Sequence, residues 1–322
     1  MKFLHNTFIF LLGVFFHNQL LFAQDGAQLF ATFCTTCHVE DAQSRAPNLN
    51  VLRQLNPEHV LSALEKGSMM KVGAERSRKE RIALAEYVTA KSYDPLHHEQ
   101  IKADAYCRNS SLPNNSPKLE NWNSWGGNNE NTRHQVASEM GLNLKTVAQL
   151  KLKWSFGFPG ASSASTQAVV NSGRVYVGSW EGDVFSLDAQ TGCIHWRIEA
   201  EAGVRAGLLI DETSNSIYFA DLAANVYAAD AKTGKLLWKS KVDSHPLARI
   251  SGGLKLNNGL LYIPVSSREE SMAGDPRYPC CRFRGSVVAL KQSNGSEVWK
   301  TYMIDQVAQA KGTNAQGTPS YG

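Results

Sequence analysis

The stretch "GRVYVGSWEGDVFSLDAQTGCIHW" (residues 173–196) has two related copies later in the chain. They are "NSIYFADLAANVYAADAKTGKLLW" (215–238) and a longer form, "GLLYIPVSS…FRGSVVALKQSNGSEVW" (259–299). Each copy holds two alternating apolar segments, a turn that carries glycine and a closing tryptophan. Alternation with a period of two predicts β-strands, and a repeat of about 40–45 residues with several short strands is typical of β-propeller blades.

The spacing of the tryptophans that close the repeats gives the length of one repeat. They stand at 154, 196, 238 and 299, so the steps are 42, 42 and 61 residues. The last step is one period plus 19 residues, which we assign to an insertion around "REESMAGDPRYPCC". Stacked blades bury faces that one blade alone leaves exposed, which favours a propeller over an open sandwich with chance similarity.

The number of predicted blades indicates whether the propeller is complete. Residues 122–322 are enough for about four blades, whereas most propellers have more. The chain then closes on the loop-like sequence "AKGTNAQGTPSYG". We therefore expect a truncated or split piece of a longer protein.

The first 23 residues have the layout of a secretory signal peptide. Lys2 is followed by an uncharged run from Phe8 to Phe16 and by a small residue, Ala23. The alternative is an uncleaved membrane anchor, but a spanning helix needs about 20 apolar residues. The prediction is a periplasmic or secreted protein, without stable membrane insertion, in a compartment where disulfides persist.

Net charge and chain length limit the class of protein and the number of domains. Removal of Lys2 with the signal changes the formal net charge from +4 to +3, which is too weak for a nucleic-acid-binding protein. The length predicts about two domains. We divide the mature chain into a helical domain at 24–92, a linker at 93–121 rich in Pro, Asn and Ser, and the repeats at 122–322.

The helical domain carries clear helix boundaries. Asn56 and Pro57 predict a helix start, and Gly67 predicts its end. Ser77 and Glu80 form a capping box that opens a helix through Lys91. Its apolar face is predicted to hold Ile82, Ala85 and Val88.

The motif "CTTCH" decides the chemistry of this domain. The sequence Cys34-x-x-Cys37-His38 is the attachment signature of c-type haem, in which two thiols bond the porphyrin and the imidazole binds the iron. A zinc site needs two further paired Cys or His ligands, and a thioredoxin-like motif needs a βαβ pattern. The sequence shows neither, which favours haem c.

The iron needs a second axial ligand, and methionine is a common one. "GSMM" supplies Met69 and Met70, and we favour Met69, which stands two residues past Gly67. His59 lies on a capped helix and is expected to be a surface histidine. His97 and His98 lie in the linker and are expected to be solvated.

The motifs "CTTCH", "APNL", "GSMM" and "IALAEYV" together resemble a small class I cytochrome c domain. The resemblance implies that the carbonyl of Pro47 accepts a hydrogen bond from the proximal His38. The expected fold is thus multidomain, with a small all-α class I cytochrome c domain followed by an all-β propeller that is apparently truncated.

The blade sequence "Asp-Ala-x-Thr-Gly-x-x-x-Trp" resembles the repeat of pyrroloquinoline-quinone (PQQ) dehydrogenases. The copy at 291–299 departs from it, since Lys291 and Asn294 replace Asp and Thr. The resemblance implies that the tryptophans dock neighbouring blades and are structural.

A narrower resemblance covers nearly all of the mature chain. "WNSWG…NTRHQ", "TGCIHW", "SSREE" and "YPCCRFRGSVVAL", in this order after a haem domain, resemble the haem-containing polyvinyl-alcohol dehydrogenase group. The match is to the front half of such an enzyme. The implied cofactors are haem c, PQQ and Ca²⁺.

The resemblance also implies residues around the quinone. Arginine suits the PQQ carboxylates because its planar fork binds them in pairs. Arg205 is the main candidate and Arg249 the weaker one; for Arg205 the alternative is a surface or inter-blade arginine. Ser251 and Ser267 fall where related enzymes hydrogen-bond the cofactor, although serines are common in loops.

A calcium ion beside the quinone would act as Lewis acid, and calcium prefers oxygen ligands. The resemblance places a calcium-binding glutamate in "SSREE", with Glu270 favoured over Glu269; the alternative is a pair of solvated glutamates. The family's other calcium ligands and its general-base aspartate fall beyond residue 322, so no catalytic residue is assigned.

The adjacent Cys280 and Cys281 resemble the vicinal disulfide that methanol-type dehydrogenases stack on the quinone, although there it lies in an earlier blade. Separate bridges or one free thiol are the alternatives. Four cysteines outside the haem motif allow three pairings. We favour 280–281 together with 107–193.

Two functions follow as hypotheses. In the first, PQQ oxidises a secondary alcohol, for which the family name offers polyvinyl alcohol as a candidate, and haem c passes electrons to a soluble c-type cytochrome or another periplasmic acceptor. In the second, the chain is a haem c electron-transfer or docking module with a non-catalytic, incomplete propeller.

Overall fold

The computed structural model describes residues 25–40, 46–65, 67–93, 101–108, 121–127, 130–135, 141–159 and 164–322. The predicted signal peptide and most of the predicted linker, including His97 and His98, lie outside the described residues.

Five α-helices form the first domain within its described residues. They are α1 (Gly26–Phe33), α2 (Leu49–Leu52), α3 (Pro57–Glu65), α4 (Met70–Ala74) and α5 (Arg78–Thr89). The predicted capping box is present, because the Ser77 hydroxyl accepts from the Glu80 N–H while the Glu80 carboxylate accepts from the Ser77 N–H. The helix ends at Thr89, two residues before the predicted Lys91, and Ala90 takes a left-handed conformation with φ 53°.

The core of this domain is made where α1, α3 and α5 cross. Its fully buried members are Leu29, Phe30, Leu52, Leu64, Leu84 and Val88. The buried face of α5 holds Leu84, Ala85, Val88 and Thr89. Of the three residues on the predicted apolar face, Ala85 and Val88 are buried and Ile82 is partly buried. Burying side chains of this size stabilises a fold by roughly 1.5–3 kcal/mol each, which explains how a domain this small can enclose a cavity.

The repeats form separate antiparallel sheets. Their strands are β1 (Val169–Asn171), β2 (Arg174–Gly178), β3 (Asp183–Asp188), β4 (Ile194–Glu199), β5 (Leu209–Asp211), β6 (Ser216–Ala220), β7 (Asn225–Asp230), β8 (Leu236–Lys241), β9 (Ala248–Arg249), β10 (Lys255–Asn257), β11 (Leu260–Ser267), β12 (Ser286–Lys291), β13 (Glu297–Tyr302), β14 (Ala310–Thr313) and β15 (Pro319–Tyr321). A short helix, α6 (Glu269–Met272), lies in the insertion after β11.

We call the sheets blades. Blade 1 has the strand order β1-β2-β3-β4, blade 2 the order β5-β6-β7-β8, and blade 3 the order β10-β11-β12-β13 with β9 paired to β11. Strands β14 and β15 form a two-stranded sheet. In the described part of residues 122–322 the structure thus contains two four-stranded sheets, one five-stranded sheet and one two-stranded sheet. The prediction of about four blades stays a prediction.

The tryptophans dock each blade on the next, as the resemblance implies. In three successive repeats the indole N–H donates to a backbone carbonyl in the turn of the following sheet. The pairs are Trp154 with Ala189 (3.1 Å), Trp196 with Ala231 (3.0 Å) and Trp238 with Gln292 (2.9 Å).

The turn glycines explain why the indole can lie so close. Gly192, Gly234 and Gly295 have positive φ angles of 77°, 74° and 70°. A Cβ on Gly234 would lie 2.8 Å from the Trp196 ring, so only glycine fits both the conformation and the contact. Trp299, the fourth tryptophan of the series, is 39% exposed.

Two disulfides lie in segments outside the strands. Cys107 is bonded to Cys193, with the two Cα atoms 5.1 Å apart, and joins the segment before the repeats to blade 1. Cys280 is bonded to Cys281 across a cis peptide. Both pairings that the sequence analysis favours are confirmed. Within the described ranges, no helix is long and apolar enough to cross a membrane.

Candidate functional site

The haem motif lies at the end of α1. Asp25 caps the helix start by accepting from the Ala27 N–H at 3.2 Å, and Cys34 caps its end. The chain then makes one more turn, in which the His38 N–H donates to the Cys34 carbonyl at 2.9 Å. This turn places the motif's two thiols and its imidazole along one cavity, which all three residues line.

His38 is oriented by a backbone carbonyl. Its Nδ1 lies 2.7 Å from the Pro47 carbonyl oxygen, which is the contact that the resemblance to class I cytochromes implies. A carbonyl only accepts, so Nδ1 carries the proton and the lone pair of Nε2 is left for a metal. The geometry fits an imidazole that serves as the proximal ligand of haem iron.

The cavity measures about 360 Å³, and its walls are mostly apolar side chains from α1, α2, α3 and α5. Met69 lines the cavity and packs on the domain core. Met70 is the first residue of α4 and is not among the residues that line the cavity. Of the two methionines that the sequence offers, the geometry therefore favours Met69 as the second axial ligand.

The two motif thiols lie outside the two disulfides that the structure describes. Burial raises the pKa of Cys34, the nearby Arg76 lowers it, and burial outweighs the arginine. The Cys34 thiol is thus held protonated in a half-buried, apolar wall. An apolar cavity flanked by two thiols, an oriented imidazole and a thioether fits haem c.

His59 differs from what the sequence led us to expect. Both of its ring nitrogens are buried, and neither has a hydrogen-bond partner within the described ranges. The side chain lines the haem cavity, so the expectation of a surface histidine was wrong. No local pattern in the sequence predicts this burial, because an exposed histidine in the first turn of a helix would have the same neighbours in the chain.

A cluster of arginines lies where blades 2 and 3 meet. The pKa of Arg249 is lowered to about 10, mainly by burial and also by the positive charges of Arg268 and Arg205, while Glu270 opposes the shift. The Nε and Nη2 atoms of Arg249 are buried and have no hydrogen-bond partner among the described residues. A guanidinium with two buried, unpartnered nitrogens near two other arginines fits a ligand with several carboxylates, as PQQ has.

The structure places Arg205, the main candidate, within electrostatic reach of Arg249, the weaker one. Their roles toward PQQ stay predictions. Arg268, which the sequence analysis quoted within "SSREE" without assigning it a role, joins them. Strand β9 pairs with the end of β11, so that Arg249 lies opposite Ser266. This pairing is long-range, which is why the sequence alone did not group Arg268 with the other two.

The serines lie beside the arginine cluster. The hydroxyl oxygens of Ser251 and Ser266 are 3.4 Å apart. Ser267 Oγ accepts from the Glu269 N–H at 3.3 Å and so holds the start of α6. Ser251 therefore keeps a hydroxyl near the cluster, whereas Ser267 has a local structural partner.

The neighbouring glutamates have different surroundings. Glu269 is 4% exposed, and its carboxylate accepts from the N–H groups of Arg282 (3.0 Å) and Phe283 (2.8 Å) and from the Tyr278 hydroxyl (2.9 Å). Burial alone would raise the pKa of Glu269, but these hydrogen bonds outweigh it and leave the pKa below its ordinary value. Glu269 thus anchors the loop that carries the vicinal disulfide.

Glu270 is exposed and faces Arg249 electrostatically. Of the two glutamates, Glu270 is the one that interacts with the arginine cluster, as expected of a calcium ligand beside the cofactor. Within the part of the chain that the structure describes, no three His, Cys, Asp or Glu side chains come together as a metal site. A calcium ligand at Glu270 stays a prediction.

The haem domain contacts the blades at two places. The Ser62 hydroxyl donates to the Glu181 carboxylate of the β2–β3 turn at 2.6 Å. Arg277 of the disulfide loop pairs with Glu75 and with Asp275, the latter at 2.9 Å. The same loop thus touches the haem domain and, through Cys280 Sγ at 4.0 Å from the Glu269 carbonyl oxygen, the helix that bears Glu270.

Comparison with known families agrees with this division. Residues 141–319 match the PQQ_2 family model, described as outer membrane protein assembly factor BamB. Residues 22–88 match the model of cytochrome c oxidase, cbb3-type, subunit III. The matches imply haem c and PQQ as cofactors.

Curated relatives carry both parts in one chain. A polyvinylalcohol dehydrogenase of Pseudomonas sp is 32% identical over 316 residues, and that of Sphingopyxis sp. (strain 113P3) is 30% identical over 316 residues. Each match covers 92% of this chain and 48% of the relative, so the chain spans about half the length of these proteins. The resemblance to the haem-containing polyvinyl-alcohol dehydrogenase group is thereby confirmed.

Solved structures are similar over somewhat more than half of the chain. Quinohemoprotein alcohol dehydrogenase from Comamonas testosteroni has a TM-score of 0.47 at 20% identity and covers 57% of this chain and 27% of its own. Quinohemoprotein alcohol dehydrogenase ADHIIG from Pseudomonas putida HK5 has a TM-score of 0.48 at 23% identity and covers 57% and 26%.

Proposed function

Since this chain belongs to the PQQ_2 repeat family, we propose that it serves in a quinohaemoprotein that oxidises secondary alcohols with PQQ and passes the electrons through haem c to a soluble c-type cytochrome or another periplasmic acceptor. One observation carries the proposal. A cavity suited to haem c and an arginine cluster suited to a tricarboxylate, with two unpartnered nitrogens on Arg249, occur in one chain, on domains that contact each other.

The haem domain supplies attachment and orientation. When bound, PQQ takes two electrons from an alcohol and haem c carries them one at a time. Cys34 and Cys37 would hold the porphyrin covalently, while Pro47 keeps the proton of His38 on Nδ1. Met69, which lines the same cavity, would supply the second ligand to the iron, and the apolar lining excludes water.

The blades supply charge and hydrogen bonds. The unpaired Nε and Nη2 of Arg249 would donate to one carboxylate of the quinone, and Arg205 and Arg268 would neutralise the others. Ser251 would donate from its hydroxyl at the edge of the cluster. Within this proposal Glu270 is a calcium ligand, and the Cys280–Cys281 disulfide forms part of the wall beside it.

The contacts between the two domains would keep the haem close to the quinone site. A haem domain fixed to the blades stays at high effective concentration beside the electron donor. The hydrogen bond from Ser62 to Glu181 and the ion pair of Arg277 with Glu75 hold the domain at two points. The two disulfides agree with a periplasmic or secreted location, where such bonds persist.

The test is haem reduction by substrate. The protein is purified with its haem, incubated with PQQ and Ca²⁺, and mixed with a secondary alcohol such as 2-propanol while the haem absorbance bands are recorded. We expect the bands of reduced haem to appear. Haem that dithionite reduces and the alcohol does not would favour the alternative, an electron-transfer or docking module.

A matched pair of variants tests the arginine cluster. Arg249→Gln should weaken PQQ binding about 10- to 100-fold, because it removes hydrogen bonds to a charged group. Arg284→Gln is the control, since Arg284 donates to the carbonyls of Ile304 and Asp305 and has no part in the cluster. Equal PQQ affinity in the two variants would contradict the assigned site.

A further inference from the structure

His59 has a hydrogen-bonding capacity that the described chain does not use. Both ring nitrogens are buried, and neither Nδ1 nor Nε2 has a partner in the part of the chain that the structure describes. Because a buried polar group without a partner costs free energy, such groups are nearly always paired. The position of the ring shows which group could pair with it.

The ring of His59 separates two cavities. It lines the haem cavity, and it also lines a smaller cavity of about 130 Å³ between the haem domain and blade 1. The far side of the smaller cavity is closed by Trp180 and Glu181 of the β2–β3 turn. The ring is thus placed where the haem domain meets the blades.

The polar wall of the haem cavity is concentrated at the same place. Apart from the motif residues, the described side chains that line this cavity are apolar except for His59, Ser68 and Lys71. Ser68 lines the smaller cavity together with His59. Lys71 also faces Asp275 of the blade-3 insertion electrostatically. The polar wall therefore faces the blades.

Haem has two carboxylates, its propionates, and a carboxylate in a cavity of this kind needs hydrogen-bond donors. We propose that His59 donates a hydrogen bond to a haem propionate, beside Ser68 and Lys71, so that the propionate edge of the haem faces blade 1. The inference rests on the proposed function only in that haem c occupies the cavity.

Three variants test the assignment. His59→Leu removes the donor, whereas His59→Gln keeps one in its side-chain amide. Ser62→Ala is the matched control: Ser62 lies on the same helix and contacts Glu181 at 2.6 Å, but it lines only the smaller cavity. The full-length protein is purified with its haem in each case, and covalent haem is measured as the pyridine haemochrome.

The direct readout is the propionate bending mode in the resonance Raman spectrum. We expect it to shift in His59→Leu and to stay near its original position in His59→Gln and in Ser62→Ala. The reduction potential should fall in His59→Leu, because a less compensated carboxylate stabilises ferric haem, and should change less in the other two variants.

The outcomes separate this inference from the proposed function. Covalent haem with an unchanged propionate mode in His59→Leu would overturn the inference alone. A change from low-spin to high-spin haem in that variant would also overturn it, since His59 would then be an iron ligand. Absence of covalent haem from the unmodified protein would overturn both.

Discussion

The two candidate sites of this protein are assembled in opposite ways. The haem cavity takes its ligand candidates from one short stretch, from Cys34 to Met69, folded into consecutive helices. The arginine cluster takes Arg205 from the segment before β5, Arg249 from β9 and Arg268 from the residue after β11. The first site depends on local structure, and the second depends on the packing of one blade against another.

This contrast has a consequence for stability. The cytochrome domain has its own core and should hold haem even when the blades are perturbed. The arginine cluster should be lost as soon as blades 2 and 3 separate, because no single sheet contains all of its members. Variants that damage one region should therefore leave the other readout intact.

The largest expected effect is the loss of haem attachment. In the double variant Cys34→Ala and Cys37→Ala we expect the porphyrin to be extracted by acidified organic solvent after unfolding, because no thioether bond can form. The unmodified protein should keep its haem under the same treatment. Unfolding of the blades, followed by far-UV circular dichroism, should be nearly unchanged, since the cysteines lie in the other domain.

If the porphyrin is also extracted from the unmodified protein, the covalent attachment is wrong. If the blades of the double variant unfold much earlier, the two regions are more strongly coupled than the separate cores indicate.

The second-largest expected effect is the loss of the methionine ligand of the iron, with the covalent attachment of the haem intact. Met69→Ala should abolish the weak near-red absorbance band of methionine-ligated ferric haem, because Met69 lines the haem cavity together with the motif. Met70→Ala is the matched control and should keep the band, since Met70 starts α4. A band that survives both substitutions would refute methionine ligation at this position.

The difference between the sites also explains what the sequence could predict. The haem motif, the helix caps and the repeat length are local patterns, and the structure agrees with them: the capping box at Ser77 is present, and three of the four tryptophans dock on the next sheet. A local pattern is readable because the residues that define it are a few positions apart in the chain.

The residues that sequence reasoning missed depend on long-range contacts. The burial of the His59 ring nitrogens beside blade 1 follows from how two domains meet, and the closeness of Arg268 to Arg249 follows from the β9–β11 pairing. The different roles of Glu269 and Glu270 depend on a loop that returns ten or more positions later in the chain. No spacing rule within the sequence carries this information.

The third effect tests how firmly the blades are docked. Trp196 is 7% exposed and covers the turn of blade 2, so Trp196→Ala should lower the free energy of unfolding by about 3–5 kcal/mol. Trp299→Ala is the control within the same series, because Trp299 is 39% exposed, and surface substitutions usually change stability by within about 0.5 kcal/mol. Denaturant titration followed by far-UV circular dichroism measures both.

In Trp196→Ala the covalent haem and its spectrum should stay unchanged, since the haem domain has its own core. Equal destabilisation by the two substitutions would contradict the docking role that distinguishes Trp196 from Trp299.

The smallest effect concerns the buried carboxylate that anchors the disulfide loop. Glu269→Gln keeps the shape of the side chain but weakens its hydrogen bonds to Arg282, Phe283 and Tyr278, which should cost about 1–3 kcal/mol of the free energy of unfolding at pH 7. Glu270→Gln is the control, because Glu270 is exposed, and it should change stability little.

The pKa shift of Glu269 determines how the stability difference between the two proteins changes with pH. The folded protein holds the pKa of Glu269 below its ordinary value, so the carboxylate stabilises the fold fully above the unfolded pKa of about 4.3 and loses this contribution as the pH falls through the lower folded pKa. Glu269→Gln should therefore lose less stability than the unmodified protein between about pH 5 and pH 3. Parallel acid-unfolding curves for the two proteins would show that the loop is held by packing, in which case its contact with the haem domain would not depend on this charge.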